Sequence, residues 1–403
     1  MQVLSEQLII PYDMERTVSI KIGRDHEAEF SELASVFVRA MNEIVNIAWD
    51  ANVFSAISLH HLVYYQIRER YGLKANHVSA ATKIVSQSLL SGRTRARRKR
   101  RPQTKPHFSL PTVGYDMRTS KVTGDHLSLA TLEGRVHIDI HLSEYQLQFF
   151  DGNWKIGSSK LIRRPDGDWY LNVSISRDAP PQRSDGEVLG IDQGIRHIAV
   201  TSSGQFLPAG RLNQRTAQMR RNRGRLESKG TPASRKRLKR LARRENRFRD
   251  DVLRCTVKSI LSRCDDVKVI VLEDLERIEK KRGRDQNRRV SNWGFAKFRS
   301  ILEYRAEELG ILVDTVDPRY TSQRCSGCGR IEKSNRDTKT HFYSCSCGLS
   351  LNDDLNAART IRANYLRANG EGDGAQSTAP DVTTEGTQVP EVCDKPTASA
   401  VGS

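Results

Sequence analysis

The chain has 403 residues, with 66 Lys and Arg against 48 Asp and Glu, a formal net charge of +18. Its hydrophobic fraction of 37% is enough for real cores, which excludes wholesale disorder, and the length predicts two or three domains. The basic excess points to a polyanionic partner, a nucleic acid or an anionic membrane surface. No stretch approaches the ~18 apolar residues of a membrane span. The start, MQVLSEQLIIPYDMERTVS, lacks the basic-then-apolar order of a secretory signal, so a cytoplasmic protein is expected.

In chain order, residues 1–25 read as strand, QLIIPYD and then the alternating RTVSIKI. From 26 to 92 the apolar spacing becomes helical, in EFSELASVFVRAMNEIVNIAWDANVF, LHHLVYYQIRERYGL and SAATKIVSQSLLSG, which predicts three or more helices. Eight Lys and Arg with no acid follow between Arg93 and Lys105. From about 106 the period returns to two, with Asp-Gly turns at 151–152 and 166–167. The pattern is that of one β-domain, a barrel, split by an inserted helical domain.

DAPPQRSDGE (178–187) reads as a linker, and VLGIDQGIRHIAVTSSG as two strands joined by a turn. Residues 211–263 are a helical hairpin broken at Gly230-Thr231-Pro232; from Arg211 to Arg249 it carries 16 Lys and Arg against two acids. DVKVIVLEDL (266–275) is a strand apolar on both faces, KKRGRDQNRRVSNWG (280–294) a basic loop, and FAKFRSILEYRAEELG (295–310) an amphipathic helix. ILVDTVDP is a further strand. A cysteine cluster follows, then a helix over NDDLNAARTIRANYLRA with Asn352 or Asp353 as N-cap. The last 35 residues, 369–403, carry six acids and one Lys without periodicity, which predicts a disordered acidic tail.

Three carboxylates stand out by context. Asp192 sits in the otherwise apolar VLGIDQG, where a carboxylate is costly unless paired or bound to metal. Glu273 closes the buried strand VKVIVLE, and Asp354 opens the last helix. Open α/β sheets place their chemistry at strand ends and helix starts. Three carboxylates converging there would hold two Mg²⁺ ions roughly 3.5–4 Å apart, the clamp for in-line phosphodiester cleavage. Singly, the same residues also read as a turn residue, a surface acid and a helix cap.

Four of the seven cysteines fall within 23 residues, which reads as a metal site in a reducing compartment rather than as disulfides. Cys325-x2-Cys328 is the usual tight turn for two thiolates on one zinc, and Cys345-Ser-Cys347 would complete the set through a strained turn. A knuckle that has lost its metal, or one in which His341 replaces a cysteine, are the alternatives. Four thiolates leave no open position, so the role is structural: to place Asp354.

GIDQGIRHIAV, IVLEDL, DPRYTSQRCSGCG and LNDDLNAARTI, in this order, resemble the RuvC-like nuclease of the TnpB (OrfB) family, encoded by insertion sequences and related to compact type V CRISPR effectors. The resemblance is specific over about 187–366 and weaker over 1–180. It implies an α+β multidomain protein: an RNase H-like (RuvC) nuclease over 184–320 and 348–368, a zinc-ribbon-like insert at 321–347, an OB-like wedge barrel over 1–25 and 104–183, and a helical recognition domain at 26–103. It implies Asp192, Glu273 and Asp354 as catalytic and Mg²⁺-binding residues, Asp354 over Asp353 because it keeps the D-x-N-A-A spacing. The family's second C-x-x-C is here C-x-C.

The runs at 93–105 and 211–249 are too dense in one sign for ordinary solvated faces and read as phosphate tracks, with Arg235, Lys236, Arg237 and Lys239 as contacts. Arg324 and Arg336 flank the first knuckle pair and are further phosphate candidates. The resemblance implies as partners a guide RNA from the element and target double-stranded DNA, one chain per RNA, no membrane, and a short flanking motif read by the protein. Tyr64, Tyr65, Gln66 and Arg70 are candidates for reading it; core and surface of a helix is the other reading. Trp293 and Phe295 read as a lid loop or as an aromatic staple. The leading expectation is an RNA-guided DNA endonuclease. A catalytically inactive RNA-guided repressor and a DNA-end-binding transposase are the alternatives.

Overall fold

The structure is a computed structural model, and it describes residues 13–275 and 294–370. The expectations for 1–12, for the basic loop with Trp293, and for the tail beyond 370 lie outside the described residues. The chain divides into two compact units, 1–178 and 179–403. No helix among the described residues is long and apolar enough to cross a membrane.

The first unit begins with β1 (Asp13–Gly23), whose alternation buries Met14, Val18, Ile20 and Ile22. Three helices follow, α1 (Glu27–Asp50), α2 (Ala56–Tyr71) and α3 (Ala75–Lys99). The α1 stripe of Phe30, Leu33, Phe37, Met41 and Ile44 faces inward at helical spacing. Burial on α3 stops at Leu89, yet the helix continues through Arg93, Arg95, Arg97, Arg98 and Lys99. The first part of the basic run is therefore helical, and its charges complement the carboxyl end of the helix dipole.

Then come β2 (Thr112–Tyr115), β3 (Ser120–Thr123), β4 (His126–Ala130), β5 (Arg135–Asp139), a single turn α4 (Glu144–Leu147), β6 (Lys155–Arg163) and β7 (Trp169–Asp178). One antiparallel sheet has the order β1-β7-β6-β2, and β3-β4-β5 form a separate meander. The strands expected to close one barrel thus form two ladders among the described residues. The chain leaves the first at Asp116, whose carboxylate accepts from the Thr119 N–H at 2.9 Å, a local turn that competes with continued pairing. Side chains join the ladders instead: the Ser120 and Ser159 hydroxyls lie 2.7 Å apart. His77 of α3 is fully buried between the rings of Phe37 and Tyr115, with no hydrogen-bond partner for either nitrogen.

The second unit contains β8 (Glu187–Asp192), β9 (His197–Thr201), β10 (Phe206–Pro208), α5 (Gly210–Lys229), α6 (Pro232–Leu261), β11 (Val267–Glu273), α7 (Phe295–Glu307), β12 (Leu312–Val316), the short strands β13 (Arg336–Asp337), β14 (Phe342–Ser344) and β15 (Ser350–Asn352), and α8 (Asp353–Ala368). Its main sheet has the order β10-β9-β8-β11-β12. The first three strands are antiparallel; β8, β11 and β12 run parallel. Ile270 and Leu272 face a core built with Leu253, Val257, Ile260, Phe298 and Leu302 of α6 and α7. Val269 and Val271 face Ile361 and Leu366 of α8. Burial on both faces explains why VKVIVL carries no polar alternation.

The expected linker is fastened at Arg183, whose Nη1 donates to the carbonyls of Cys264, Asp265 and Val267 at 2.8–2.9 Å and whose Nε donates to Leu309 O at 3.1 Å. The hairpin of α5 and α6 turns where expected. Gly230 takes the left-handed conformation, Thr231 caps α6 by accepting from Ser234 N–H, and Pro232 occupies the first helical turn.

Candidate functional site

Asp192 and Glu273 each end a strand of the parallel pair β8 and β11. The register sets Gly190 opposite Val271, so two residues on, 192 and 273 stand side by side at the carboxyl ends. Glu273 accepts from the hydroxyl of Thr321, itself buried. Asp354 arrives from the other direction, in the first turn of α8. Asn352 is the N-cap: its Oδ1 accepts from the Asp354 N–H at 3.0 Å and the Leu355 N–H at 3.3 Å. The helix lies close against β8 because residue 190 is glycine. A Cβ there would stand 2.2 Å from the Ala358 carbonyl oxygen and 2.8 Å from Arg362 N.

The three carboxylates feel one another. Burial pushes the Asp192 carboxyl well above its ordinary range, and the charges of Glu273 and Asp354 add to the rise. Burial would also raise Asp354, but a hydrogen bond from His197, with the charges of His197, Arg336 and His341, outweighs it and holds that carboxyl below the usual range. The repulsion that falls on Asp192 is what a divalent cation between hard oxygen ligands removes, so the donor set fits Mg²⁺.

Asp353, the neighbour that could be mistaken for Asp354, has another task. It is completely buried, its Oδ2 accepts from Arg336 Nε at 2.9 Å, and His341 Nδ1 stands 3.5 Å from its Oδ1. Arg336, a phosphate candidate from sequence, is thereby engaged inside the protein. Arg324 donates through Nη1 to Gly329 O at 3.1 Å, and its own carbonyl accepts from Asn356 and Thr360 of α8.

Cys325, Cys328, Cys345 and Cys347 converge, with all four sulfurs within 4.8 Å of one another. The Cys325–Cys347 and Cys328–Cys345 sulfurs are each 3.6 Å apart. Tetrahedral Zn–S bonds of about 2.3 Å put sulfurs about 3.8 Å apart, so the set fits zinc. His341 is not in the cluster. The short second arm has a simple geometry. In the first arm Cys325 O accepts from Gly329 N–H and Cys325 N–H donates to Arg330 O; in the second, Cys345 O accepts from Gly348 N–H and Cys345 N–H donates to Leu349 O. The same two-bond turn is closed one residue sooner, and each turn ends on a glycine of positive φ, Gly329 at +76° and Gly348 at +95°. The backbone N–H of Cys347 and the surrounding thiols draw the Cys345 thiol down to about 7, and burial pushes Cys325 up. Asn356 docks this knuckle on α8, accepting from Ser326 N–H at 3.0 Å and donating to Arg324 O at 2.8 Å.

Arg235, Lys236, Arg237 and Lys239 are all exposed on α6, without ion pairs among the described residues. Apart from Ser234, α6 buries nothing before Leu253. Of the two acids between Arg211 and Arg249, Glu245 is taken by Arg223 at 2.6 Å. The four residues grouped on α2 separate. Tyr65 is 79% exposed and stacks edge-on with Tyr64 at 5.1 Å. Gln66 and Arg70 instead donate to Glu43 of α1, at 3.4 and 2.8 Å. Phe295 packs on the core of the second unit, as the staple reading expects of it, and Trp293 lies outside the described residues.

Sequence reasoning missed His197, whose Nδ1 lies 2.8 Å from Asp354 Oδ2, and Thr321. A polar residue facing inward at the start of a strand, five positions after Asp192, was the available signal for the first.

Comparison with known proteins places these motifs. The family model described as Probable transposase (OrfB_IS605) matches residues 170–279, and that described as Cas12f1-like, TNB domain matches 295–361. The CRISPR-associated endodeoxyribonuclease Cas12f1 of Sulfoacidibacillus thermotolerans is 30% identical over 236 residues, 53% of this chain and 54% of that protein. The TnpB-like protein MJ0751 of Methanocaldococcus jannaschii is 25% identical over 229 residues, 52% of this chain and 80% of that protein. The chain thus spans about half the length of the Cas12f1 relative it matches. Its mixed α+β fold resembles that of the compact effector in the cryo-EM Cas12f1–sgRNA–target DNA complex, with a TM-score of 0.56 at 16% identity over 83% of each chain. The two family matches cover Asp192 and Glu273 on one side and the four cysteines with Asp354 on the other, so the chain carries an OrfB_IS605-like segment followed by a Cas12f1-like TNB segment.

Proposed function

We propose that the protein is an RNA-guided DNA endonuclease of a transposable element, cutting phosphodiesters at one RuvC-like site beside a short flanking motif. The observation that carries this reading is the meeting of Asp192, Glu273 and Asp354 at two parallel strand ends and a helix start, in one electrostatic cluster. The mixed five-stranded sheet with helices on both faces supports an RNase H-like (RuvC) domain. Two bound Mg²⁺ ions would supply the positive charge that in-line displacement by water at phosphorus requires. Asp192, Glu273 and Asp354 would hold them. The Thr321 hydroxyl fixes the Glu273 carboxylate, and the Asn352 cap fixes the turn that carries Asp354.

Zinc at the four cysteines would be structural. It would hold the knuckle that Asn356 fastens to α8. The exposed cations of α5 and α6 would follow the phosphates of a guide RNA and its DNA target, giving affinity and salt dependence without sequence readout. The helices at 26–103 and the sheets of the first unit would serve as recognition and wedge elements, with Tyr64 and Tyr65 the outward candidates for the flanking motif. One chain per RNA and a cytoplasmic setting complete the reading.

The test is expression with the native downstream DNA, sequencing of co-purifying RNA, and cleavage with Mg²⁺ of plasmids that carry a guide-matched target beside randomised flanks. A discrete RNA and guided cutting that Asp192→Ala abolishes, with RNA binding kept, is the expected result. RNA-directed binding without cutting would instead make the protein a repressor. DNA-end binding with no RNA would make it a transposase.

A further inference from the structure

His197 lies in GIDQGIRHIAV, the segment that carries Asp192, yet the carboxylate it touches is Asp354. The histidine opens β9, across the tight turn by which the chain leaves β8 at Asp192. Gly194 N–H closes that turn on the His197 carbonyl at 3.1 Å, and β9 then runs back with Val200 opposite Asp192. The imidazole stands beside Phe206, ring centroids 5.3 Å apart, and is 15% exposed. Its Nδ1 donates to Asp354 Oδ2 at 2.8 Å. Asp354 is on a different element, so this bond ties β9 to the first turn of α8. The Asp354 N–H is meanwhile held by Asn352 Oδ1. Both ends of the residue are therefore restrained, and Oδ1 has no hydrogen bond among the described residues.

We propose that His197 is a positioning residue: its Nδ1–H fixes one oxygen of Asp354 so that the other, Oδ1, is presented to a divalent cation shared with Asp192. The proposal rests on the reading of the three carboxylates as metal ligands. An aspartate free at χ1 and χ2 loses those rotors when it binds a cation. One restrained beforehand does not, and partners behind a ligand change metal affinity by about 10–100-fold. The alternative for His197 is purely mechanical, a strut between β9 and α8 with no effect on the cation.

The experiment measures Mn²⁺ binding to the full-length protein by calorimetry, beside thermal melts, for wild type, H197L, H197N, H197Q and D192A. H197L is expected to weaken Mn²⁺ binding about 10–100-fold. H197N, whose amide N–H falls near the place of Nδ1, restores most of it. H197Q, whose amide falls near the place of Nε2, does not. In guided cleavage, the Mg²⁺ needed for half-maximal rate rises by the same factor, while the rate at saturating Mg²⁺ stays within a few-fold. Wild-type Mn²⁺ affinity in H197L overturns the proposal. So do equal losses in H197N and H197Q that track their melting temperatures. If H197L does not fold, the two polar variants carry the comparison. D192A separates the two levels: if it too binds Mn²⁺ like wild type, the carboxylate reading has failed; if only D192A loses Mn²⁺, His197 alone has been misassigned.

Discussion

Gly190→Ala is the sharpest test of how the site is assembled. The glycine lies two residues before Asp192, in a strand, with no unusual backbone angle, so its importance is entirely one of space. An added Cβ would come within 2.2 Å of the Ala358 carbonyl oxygen and 2.8 Å of Arg362 N. Both atoms belong to the backbone of α8, and no rotamer can move them aside. To restore ordinary contact the helix must retreat by about 1 Å, and it carries Asp354 with it. Overpacking of this kind costs roughly 2–3 kcal/mol, which for a unit of this size is a fall of about 5–10 °C in melting temperature. A 1 Å displacement of one ligand costs on the order of 100-fold in rate. Calorimetric melting, with guided cleavage on the same preparation, reads both. A variant that melts within 1–2 °C of wild type and cuts normally would refute the close packing of α8 on β8.

Other outcomes follow from the packing and the charges. His77 is buried without a partner, and desolvation, helped by the Lys74 charge, lowers its pKa to about 4. The unfolded chain takes up that proton below about pH 6.5 and the folded one only near pH 4, so stability is lost as pH falls through that window, about 2 kcal/mol between pH 7 and 5. His77→Leu should flatten the pH dependence of urea unfolding by that amount; an unchanged slope would contradict the burial argument. Metal analysis should find about one zinc per chain, and Cys325→Ser should release it and lower the melting temperature; a folded, metal-free wild type would mean the knuckle holds by packing alone. Reversing the charges of Arg235, Lys236, Arg237 and Lys239 should weaken RNA binding and reduce its salt slope by about 3–4. An unaltered slope would demote the hairpin to a solvated surface.

Local chemistry was legible in the amino-acid sequence. The Gly230-Thr231-Pro232 break, the hairpin turn at Asp166-Gly167, the apolar strand ending on Glu273 and the thiolate spacing each act within a few residues, so the order of residues determines them; Asp151-Gly152, expected as a second hairpin turn, instead joins α4 to β6. The order also singled out Asp192 and Glu273, because a carboxylate at the edge of an apolar run is costly wherever the run folds, while Asp354 was preferred over Asp353 only through the D-x-N-A-A spacing of the family resemblance. What the sequence could not supply is anything set by contact between distant segments. Asp353 and Asp354 are equivalent as letters. They differ because Arg336 and His341 surround one and His197 reaches the other. Arg70 reads as a free cation until Glu43, 27 positions earlier, is found opposite it. Gly190 looks like any strand glycine until α8 lies across it. Only the tertiary structure decided these, because hydrogen bonds and steric contact depend on distances that sequence separation does not encode.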